Sequence, residues 1–536
     1  MTQDTLISRQ LRRADILYSR ATQDGPWKAI LLPLSALICL ISLFMLLTPL
    51  SGDPGWPLGV SIASLTWLAC YFACSYGQFR TPYLFTSAYV FSLSVFHLGI
   101  TVPAAFGIVD VPLWESGPMA SWFEQAGWYT ALSLGAIGIG FALSIKFVGR
   151  KSKNLQIVPE LAEYGLKTAF WDGVGLLVAS GLLMAFAIYS VGNFLGYSRT
   201  ELFQGVGDTR GLVVFLMIFP SSAVLMMIGA NSSFQYKCAL IVAALAFLVV
   251  LLSGYRSMVL FPTMVGVIVW IKIGKQIPTS VAITGIIFVL VAIPVIGNLR
   301  ALGSYETIDR ESFLKASEGA TIKEGFTEMG ATAGVFAHVL RLVPDVDPYR
   351  YGSTYLLAIA HSIPNVGGDI SESARKKAKS RSILDPDVMR ELHPSDWLTY
   401  RIAPDKFKVG QGVGFSTIGE AYLNFGITGV IVFFVLIGYL LGQLDRVPLL
   451  NHPKLLVFVS AMLWPLMKSV RNDISVFIKP LVFTLIILAI WRIGIRFTPF
   501  GAAYKKPSHF SKLSQREPSS NPRRTPRVLR KKSKIS

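Results

Sequence analysis

The sequence predicts an all-helical, polytopic membrane protein with about twelve transmembrane helices, and three observations carry that prediction. Hydrophobic residues make up 52% of the chain and charged residues only 15%, where a soluble domain carries about 25% charged residues. The apolar residues fall in runs of roughly 14 to 22, the length that about 30 Å of hydrocarbon demands of a helix that satisfies its own backbone. Lysine and arginine then fall on alternate loops, the asymmetry that orients a polytopic protein.

Residues 1–28 read as a cytoplasmic N-terminus with Arg9, Arg12, Arg13 and Arg20 ahead of the first apolar run. That run is too long for a signal-peptide core and is read as a retained first helix. Helices one to nine occupy 29–298, at 29–48, 58–76, 83–102, 128–147, 170–191, 211–230, 238–252, 259–271 and 281–296. A large external, periplasmic loop at 299–415 separates helices nine and ten. Helices ten to twelve occupy 416–495, at 425–442, 455–467 and 474–493, and residues 496–536 form a basic cytoplasmic tail. Orientation follows from Arg80, from Lys146, Arg150, Lys151 and Lys153, and from Lys237, Lys272, Lys275, Arg446 and Lys454. All of these share the side of the N-terminus, whereas the loops around Asp53 and from Pro103 to Glu124 hold no Lys or Arg. The chain is thus expected in a bacterial cytoplasmic (inner) membrane, multi-pass, with both termini inside.

The net charge of +19 could suggest nucleic acid, yet from Arg496 onward twelve Lys or Arg stand against the single acid Glu517. More than half of the excess is one Ser, Pro and Lys rich tail, which fits a disordered extension on anionic headgroups. No aromatic residues are interleaved there for base stacking, so membrane lipid is the expected partner and nucleic acid is not. Cys39, Cys70, Cys74 and Cys238 all lie in or beside apolar segments, which implies no disulfide framework. Cys70 and Cys74 have no His or carboxylate beside them, so no metal is expected.

Few ionisable residues fall in mid-helix. Asp172 and Arg492 are placed near cytoplasmic ends, Lys479 near an outer end, and His97 centrally, as a hydrogen-bonded packing residue. Ion-coupled transport normally needs buried acids on broken helices in two similar halves, and neither is visible. The informative cations are those that break the positive-inside pattern: Arg199, Arg210, Arg256, Lys468 and Arg471, all on short external loops. Helices of about 15 and 13 apolar residues flank Arg256 and would span only about 20 Å each. The turn at 253–257, and by the same arithmetic the one at 468–473, should therefore dip below the outer surface. A single such arginine can snorkel to headgroups. A partly buried cluster suits a lipid-linked phosphate or diphosphate, which a guanidinium grips with two parallel hydrogen bonds.

Three stretches carry a resemblance. The first is FTEMGATAGVFAHVLRLVPDVDPYRYGSTYLLAIAHSIPN, with Glu-x-Gly, then Tyr-x-Tyr-Gly, then Ile-Pro. The second is GVGFSTIGEAYLNFGITGVIVFFVLIGYLLG, with Ser-x-Ile-x-Glu-x-Tyr-x-Asn-Phe-Gly leading into a helix, and the third is SGYRS with SVRND at outer helix ends. Over roughly 254–490 the chain resembles the Wzy-type O-antigen and oligosaccharide repeat-unit polymerases; the first 200 residues match only in hydropathy, and the basic tail departs from the pattern. The resemblance implies a GT-C-like architecture and a membrane glycosyltransferase that joins undecaprenyl-diphosphate-linked glycan donor and acceptor outside the cytoplasmic membrane. The product would be O-antigen, exopolysaccharide or capsule. It leaves room for a chain-length regulator as partner. The energy would come from the carrier diphosphate, so no nucleotide cofactor is expected and no Walker-type loop is found.

Such a reaction needs cations for the departing diphosphate and a base for the attacking hydroxyl. Arg256 and Arg471 are the first candidates for the cations, with Arg210, Arg300 and Arg341 behind them as substrate contacts. Glu420 is the leading base candidate, just outside the helix starting near Phe425, where desolvation suits base chemistry. Ser416 and Asn424, which flank it, and Glu328 are expected among the contacts to the substrate diphosphate or glycan. Glu420 could equally cap that helix or pair with an arginine. Asp473 is the alternative base, with pairing to Arg471 as its bland role. Glu328 matches the family's acid before Gly330 and could also be exposed on a loop helix. His338 and His361 could each serve as base, or simply pack. Ligation of finished glycan to another acceptor, or transport of a lipid-linked sugar by a flippase, are the competing functions.

Asp345-Val346-Asp347 has the spacing of a glycosyltransferase metal pair, but Pro344 and Pro348 bracket it and favour a turn. Arginine followed by ten residues and glycine, at Arg341 to Gly352 and Arg401 to Gly412, is expected by chance among 46 glycines. The glycines at 410–414 follow no strand and precede no nucleotide motif, so they shape the approach to the next helix. Arg375, Lys376, Lys377, Lys379 and Arg381 read as a solvated loop face, with steering of an anionic glycan as the alternative.

Overall fold

A computed structural model describes residues 10–18, 27–48, 55–79, 81–109, 118–148, 157–191, 210–252, 257–277, 325, 327, 329–363, 378, 386–408 and 411–498. The main helices are α1 Lys28–Leu47, α2 Trp56–Phe79, α3 Phe85–Leu98, α4 Ala120–Val148, α5 Pro159–Val191, α6 Arg210–Gly229 and α7 Ser233–Leu252. They continue as α8 Ser257–Lys272, α9 Thr332–Leu342, α10 Ser353–Ala360, α11 Pro394–Ile402, α12 Thr417–Leu444, α13 Pro453–Ser469 and α14 Ser475–Ile495. No strand occurs among the described residues. Seven helices there, α1, α2, α4, α5, α7, α12 and α14, are long and apolar enough to cross a membrane, and α3, α6 and α8 are shorter apolar helices. The chain is therefore an all-helical polytopic membrane protein. The predicted helix at 281–296, the basic residues Arg375, Lys376, Lys377, Lys379 and Arg381, and the tail from 499 lie outside the described residues.

Helix α4 is the hub, packed on by α12, α1, α9, α2 and α3. Its small residues explain why. A Cβ added at Gly140 would sit 2.0 Å from the Val435 carbonyl oxygen, and one at Gly438 would sit 2.2 Å from that of Ile137. Glycines on each partner thus let the α4 and α12 backbones touch, which in lipid replaces a hydrophobic driving force with close packing. Toward α1, a Cβ at Gly138 would sit 2.2 Å from the Ser35 hydroxyl and one at Gly135 2.9 Å from the Ser35 carbonyl oxygen. A second layer forms where α6 packs on α5 and α7, and α13 on α5, α8 and α14. A buried Asp172 of α5 receives a bidentate pair from Arg492 of α14, 3.1 Å to Oδ1 and 2.5 Å to Oδ2.

Several boundaries correct the expectations. Helix α5 begins at Pro159 rather than near 170, so Asp172 lies well inside it instead of near its end. The helix predicted at 238–252 starts at Ser233, where the Ser232 hydroxyl accepts from the Gln235 N–H at 3.2 Å. Its 20 residues reach about 30 Å, so the shortness that was to sink the turn at 253–257 belongs only to the 16-residue α8. The segment predicted as one helix at 83–102 is α3 plus a short turn at Thr101–Ala105, so His97 is near the end of α3 rather than central. The helix predicted from 425 begins at Thr417.

That last difference shapes the candidate site. Within α12, Phe425 (φ −140°, ψ 20°) and Gly426 (φ 59°, ψ −147°) are non-helical, so a short first segment at 417–424 is set at an angle to the long one that follows. The break frees carbonyls at the end of the first segment, and buried backbone groups must find partners. The Tyr349–Gly352 turn supplies them: Arg350 N–H donates to the Leu423 carbonyl at 2.9 Å and Tyr351 N–H to that of Asn424 at 3.1 Å.

Candidate functional site

The first segment of α12 carries Glu420, which is 1% exposed. One carboxylate oxygen accepts from the Thr354 hydroxyl at 2.8 Å, and the other from the Ile474 N–H at 2.6 Å. Three sequence-distant pieces therefore meet at this side chain: α12, the start of α10, and the turn between α13 and α14. Asn424, one helical turn on, fixes the geometry. Its amide donates to the Thr354 oxygen at 2.7 Å and to the Glu420 carbonyl at 2.9 Å, while its own oxygen accepts from the Gly352 N–H at 2.8 Å. Every polar atom of Asn424 is thus committed, and the Thr354 hydroxyl is left with one proton to give, aimed at Glu420.

The turn between α13 and α14 wraps the start of α12. Thr417 N–H donates to the Val470 carbonyl and Phe415 N–H to that of Arg471, both at 3.4 Å, with Gly414 at φ +84° making the approach. Asp473, 2% exposed, precedes the Ile474 that binds Glu420, so two buried carboxylates are chain neighbours of one hydrogen bond. Asp473 Oδ1 accepts from the N–H and the hydroxyl of Ser475 at the start of α14. The Arg471 guanidinium lies 5.3 Å over the Phe96 ring. Beside it His97, buried, bonds through Nε2 to the Ser416 hydroxyl at 2.8 Å and through Nδ1 to the Leu93 carbonyl at 3.2 Å. A carbonyl only accepts, so Nδ1 carries the proton and neutral His97 accepts from Ser416. Ser416 in turn caps α12, accepting from the Gly419 N–H at 3.2 Å. His97 is the hydrogen-bonded residue expected, and its partner is the site.

Sequence reasoning missed two contributors. Thr354 is a generic residue in a loop helix with no motif of its own. His393 stands 32 positions from His361, yet the two rings meet edge to face with His361 Nδ1 2.5 Å from His393 Nε2. Burial holds the His361 pKa down at about 4, helped by His393 and Lys479, while Asp473 acts in the opposite direction. His361 is therefore neutral at physiological pH.

The structure brings together Glu420, Asp473, Arg471, Ser416 and Asn424. Arg341 is exposed in the last turn of α9, and His338 is half-buried on that helix, with burial and Arg341 pushing its pKa down. Arg256, Arg300, Glu328 and Arg199 lie outside the described residues, as does the side chain of Arg210. Asp347 is committed elsewhere, accepting from Arg401 at 2.8 and 2.5 Å and from the Trp397 indole at 3.1 Å. Arg350, whose pKa burial lowers to about 10, donates to the Met389 carbonyl at 2.8 Å. The Asp347 bonds tie the segment just before the Tyr349–Gly352 turn to α11, and Arg350 ties the turn itself to Met389. No group of three or more His, Cys, Asp or Glu that could hold a metal occurs among the described residues.

A family model described as O-antigen polysaccharide polymerase Wzy matches residues 33–498. No curated protein and no solved structure matches the chain.

Proposed function

The chain belongs to the O-antigen polysaccharide polymerase Wzy family, and from that premise we propose that it transfers a growing glycan from one undecaprenyl diphosphate carrier to a single lipid-linked repeat unit. In this reading the reaction takes place on the outer face of the cytoplasmic membrane, the side to which the basic-loop alternation assigns the 299–415 loop. The observation that carries this reading is the buried Glu420, held by Thr354 and Ile474 on a broken helix beside Asp473. A glycosyl transfer to a hydroxyl needs a carboxylate that is oriented and shielded from water. Two stretches that resemble the family, Tyr349–Gly352 and 416–426, are the ones that interlock around it.

In this reading Glu420 accepts the proton of the attacking acceptor hydroxyl, and Asp473 is the second carboxylate of the pair. Arg471 and Arg256 stabilise the charge that gathers on the departing diphosphate, with Arg210, Arg300 and Arg341 contacting the substrate. Ser416 and Asn424 position the carboxylate. Among the described residues the candidates Glu420, Asp473 and Arg471 lie together at the N-terminal end of α12, which we read as favouring an enzyme over a flippase needing a continuous polar path.

Replacing Arg256 with Ala should remove a phosphate-binding cation and slow transfer by roughly 100-fold or more. Lys in its place should rescue only weakly if two-toothed binding matters. In cells the surface glycan should collapse from a ladder of lengths to a single repeat unit while export and attachment continue. Accumulation of unlinked long polymer would point to a ligase. Single lipid-linked units trapped on the cytoplasmic face would point to a flippase, and either outcome would overturn the assignment.

A further inference from the structure

Helix α10 is built inside out. Its buried side, with the turn that continues it to Ile363, is Thr354, Ala358, His361 and Ser362, polar at all but Ala358. Its outward side is Leu356, Ile359 and Ile363, which are 70%, 51% and 47% exposed. Both sets follow helical spacing, so each is one continuous face. A helix in water carries the opposite pattern, and its neighbours in the 299–415 stretch do so. Helix α9 buries Phe336, Ala337, Val339 and Leu340 and exposes Arg341. The short helix Pro404–Lys408 buries Phe407 and exposes Asp405, Lys406 and Lys408. From Tyr351 to Ile363, by contrast, there is no Asp, Glu, Lys or Arg.

The outward face continues onto α12. A Cβ on Gly352 would stand 3.1 Å from the Phe425 ring, and Phe425 is itself exposed. From there the exposed apolar surface passes along α12, a membrane-crossing helix, through Val432, Leu436 and Leu440. Tyr355 of α10 stacks on Phe433 of α12, ring centroids 6.5 Å apart and planes 6° from parallel. That stack sets a depth. Phe433 precedes Asp445 by 12 residues, a rise of about 18 Å, and Asp445 lies with Lys272 and Arg446 at the end that the basic-loop alternation makes cytoplasmic. Hydrocarbon is about 30 Å thick, so Tyr355 stands roughly 12 Å inside the outer boundary. Phe425, 20 residues before Asp445, falls at about 30 Å, the boundary itself. Tyr351 and Ser353, exposed beside it, are residue types that suit the headgroup level.

We infer that α10 is immersed in the outer leaflet with Leu356, Ile359 and Ile363 against lipid hydrocarbon, so that the stretch read from the sequence as an external loop re-enters the membrane at this helix. The occupant of the face is leaflet lipid, because the face runs without a charged residue into that of a membrane-crossing helix. The polar side is satisfied inside the protein, as lipid requires. Thr354 donates to Glu420 at 2.8 Å and the Ser362 hydroxyl to the Ala358 carbonyl at 2.7 Å. One consequence rests on the polymerase reading: Glu420, bonded to the inner side of this helix, is met by a lipid-linked diphosphate at headgroup level, without the lipid leaving the bilayer.

The test puts the photo-crosslinking residue benzoylphenylalanine, one position at a time, at Leu356, Ile359 and Ile363, with Arg341 and Lys406 as controls. The full chain is held in nanodiscs of phosphatidylethanolamine and phosphatidylglycerol. After illumination, mass spectrometry should find phospholipid adducts at the three α10 positions, several-fold above the two controls. Adducts no more frequent than at the controls would overturn the immersion. So would crosslinks to a second copy of the chain, or to another of its own segments, in place of lipid. A second measurement uses the sign of a charge effect. Ile359→Asp should lower the melting temperature in nanodiscs by several degrees, because hydrocarbon penalises the carboxylate, and Ile359→Phe should leave it unchanged. On a water-facing surface Ile359→Asp is neutral or solubilising, so an unchanged or raised melting temperature would also overturn the proposal. Neither readout involves elongation: a failed immersion leaves the polymerase reading standing, and a protein that does not elongate chains leaves the immersion standing.

Discussion

Thr354 and Ile474 give Glu420 one hydrogen bond to each oxygen, so the carboxylate's charge can be separated from its packing. A glutamine fits the same place, with its oxygen toward the Ile474 N–H and its amide toward the Thr354 hydroxyl, which can accept. Glu420→Gln should therefore fold, bind and melt like the unaltered protein while elongation falls by about 100-fold or more, the value of a general base. Thr354→Val leaves the charge and removes one donor; it should cost a smaller factor, on the order of 10, through misorientation. In vitro elongation with melting curves on both variants checks this, and a Glu420→Gln protein elongating at the normal rate would remove Glu420 from the chemistry. Ser416, Glu420 and Asn424 were legible because one unbroken motif carries them at helical spacing. Arg471 was legible as a cation on the side where cations are not expected. Thr354 and His393 were not, because their residue types are ordinary and only the fold brings them within reach of Glu420 and His361.

At the level of single elements the sequence pattern located the long apolar helices well and their polar ends poorly. Hydropathy cannot see the first two turns of α12, whose residues, among them Ser416, Thr417, Glu420 and Asn424, bury polar groups against polar partners rather than lipid. The break after them depends on Gly426, whose φ of 59° and ψ of −147° belong to a region essentially closed to other residues. A Cβ there would also stand 3.2 Å from the Tyr349 hydroxyl. Gly426→Ala should thus cost about 1–3 kcal/mol. More tellingly, it should straighten α12 and disengage the Tyr349–Gly352 turn, so that elongation falls further than stability does. Limited proteolysis at 349–363 alongside elongation rates would show it; a variant equally active and equally protected would mean that the turn does not depend on the break. Gly352, at φ +85° beside Phe425, makes the complementary bend on the loop side.

Across the whole molecule, α3 and α12 cap each other in antiparallel fashion, and this explains how a site built from distant segments stays assembled. At one end His97, near the C-terminus of α3, binds Ser416, the cap of α12. At the other end Asp445, just past the end of α12, takes the role of an N-cap for α3, which has no side-chain cap from its own Leu84. Its carboxylate accepts from the Phe85 N–H at 2.8 Å, the Thr86 N–H at 3.1 Å and the Thr86 hydroxyl at 2.7 Å. Lys272, at the end of α8, completes the junction, 3.3 Å from the same carboxylate and donating to the Asp445 carbonyl at 2.8 Å. The alternation of basic loops predicted that Lys272 and Arg446 share a side, but nothing in the sequence paired Lys272 with an acid 173 positions away. Because both side chains are buried, removing one leaves the other without its counter-charge, which costs about 3–5 kcal/mol where removing both costs far less. Asp445→Asn should therefore lower the melting temperature in nanodiscs by several degrees and reduce the amount of protein in the membrane. Lys272→Met added to it should recover part of the loss, a sign reversal that independent destabilisations would not give. The relayed consequence is specific: with the cap of α3 weakened, the His97 contact to Ser416 loosens at the far end, so kcat should fall in Asp445→Asn although the substitution is a full helix length from Glu420. A single variant that melts and elongates normally would show that α3 does not couple the two ends, and the site would then be held by the Tyr349–Gly352 turn and the turn between α13 and α14.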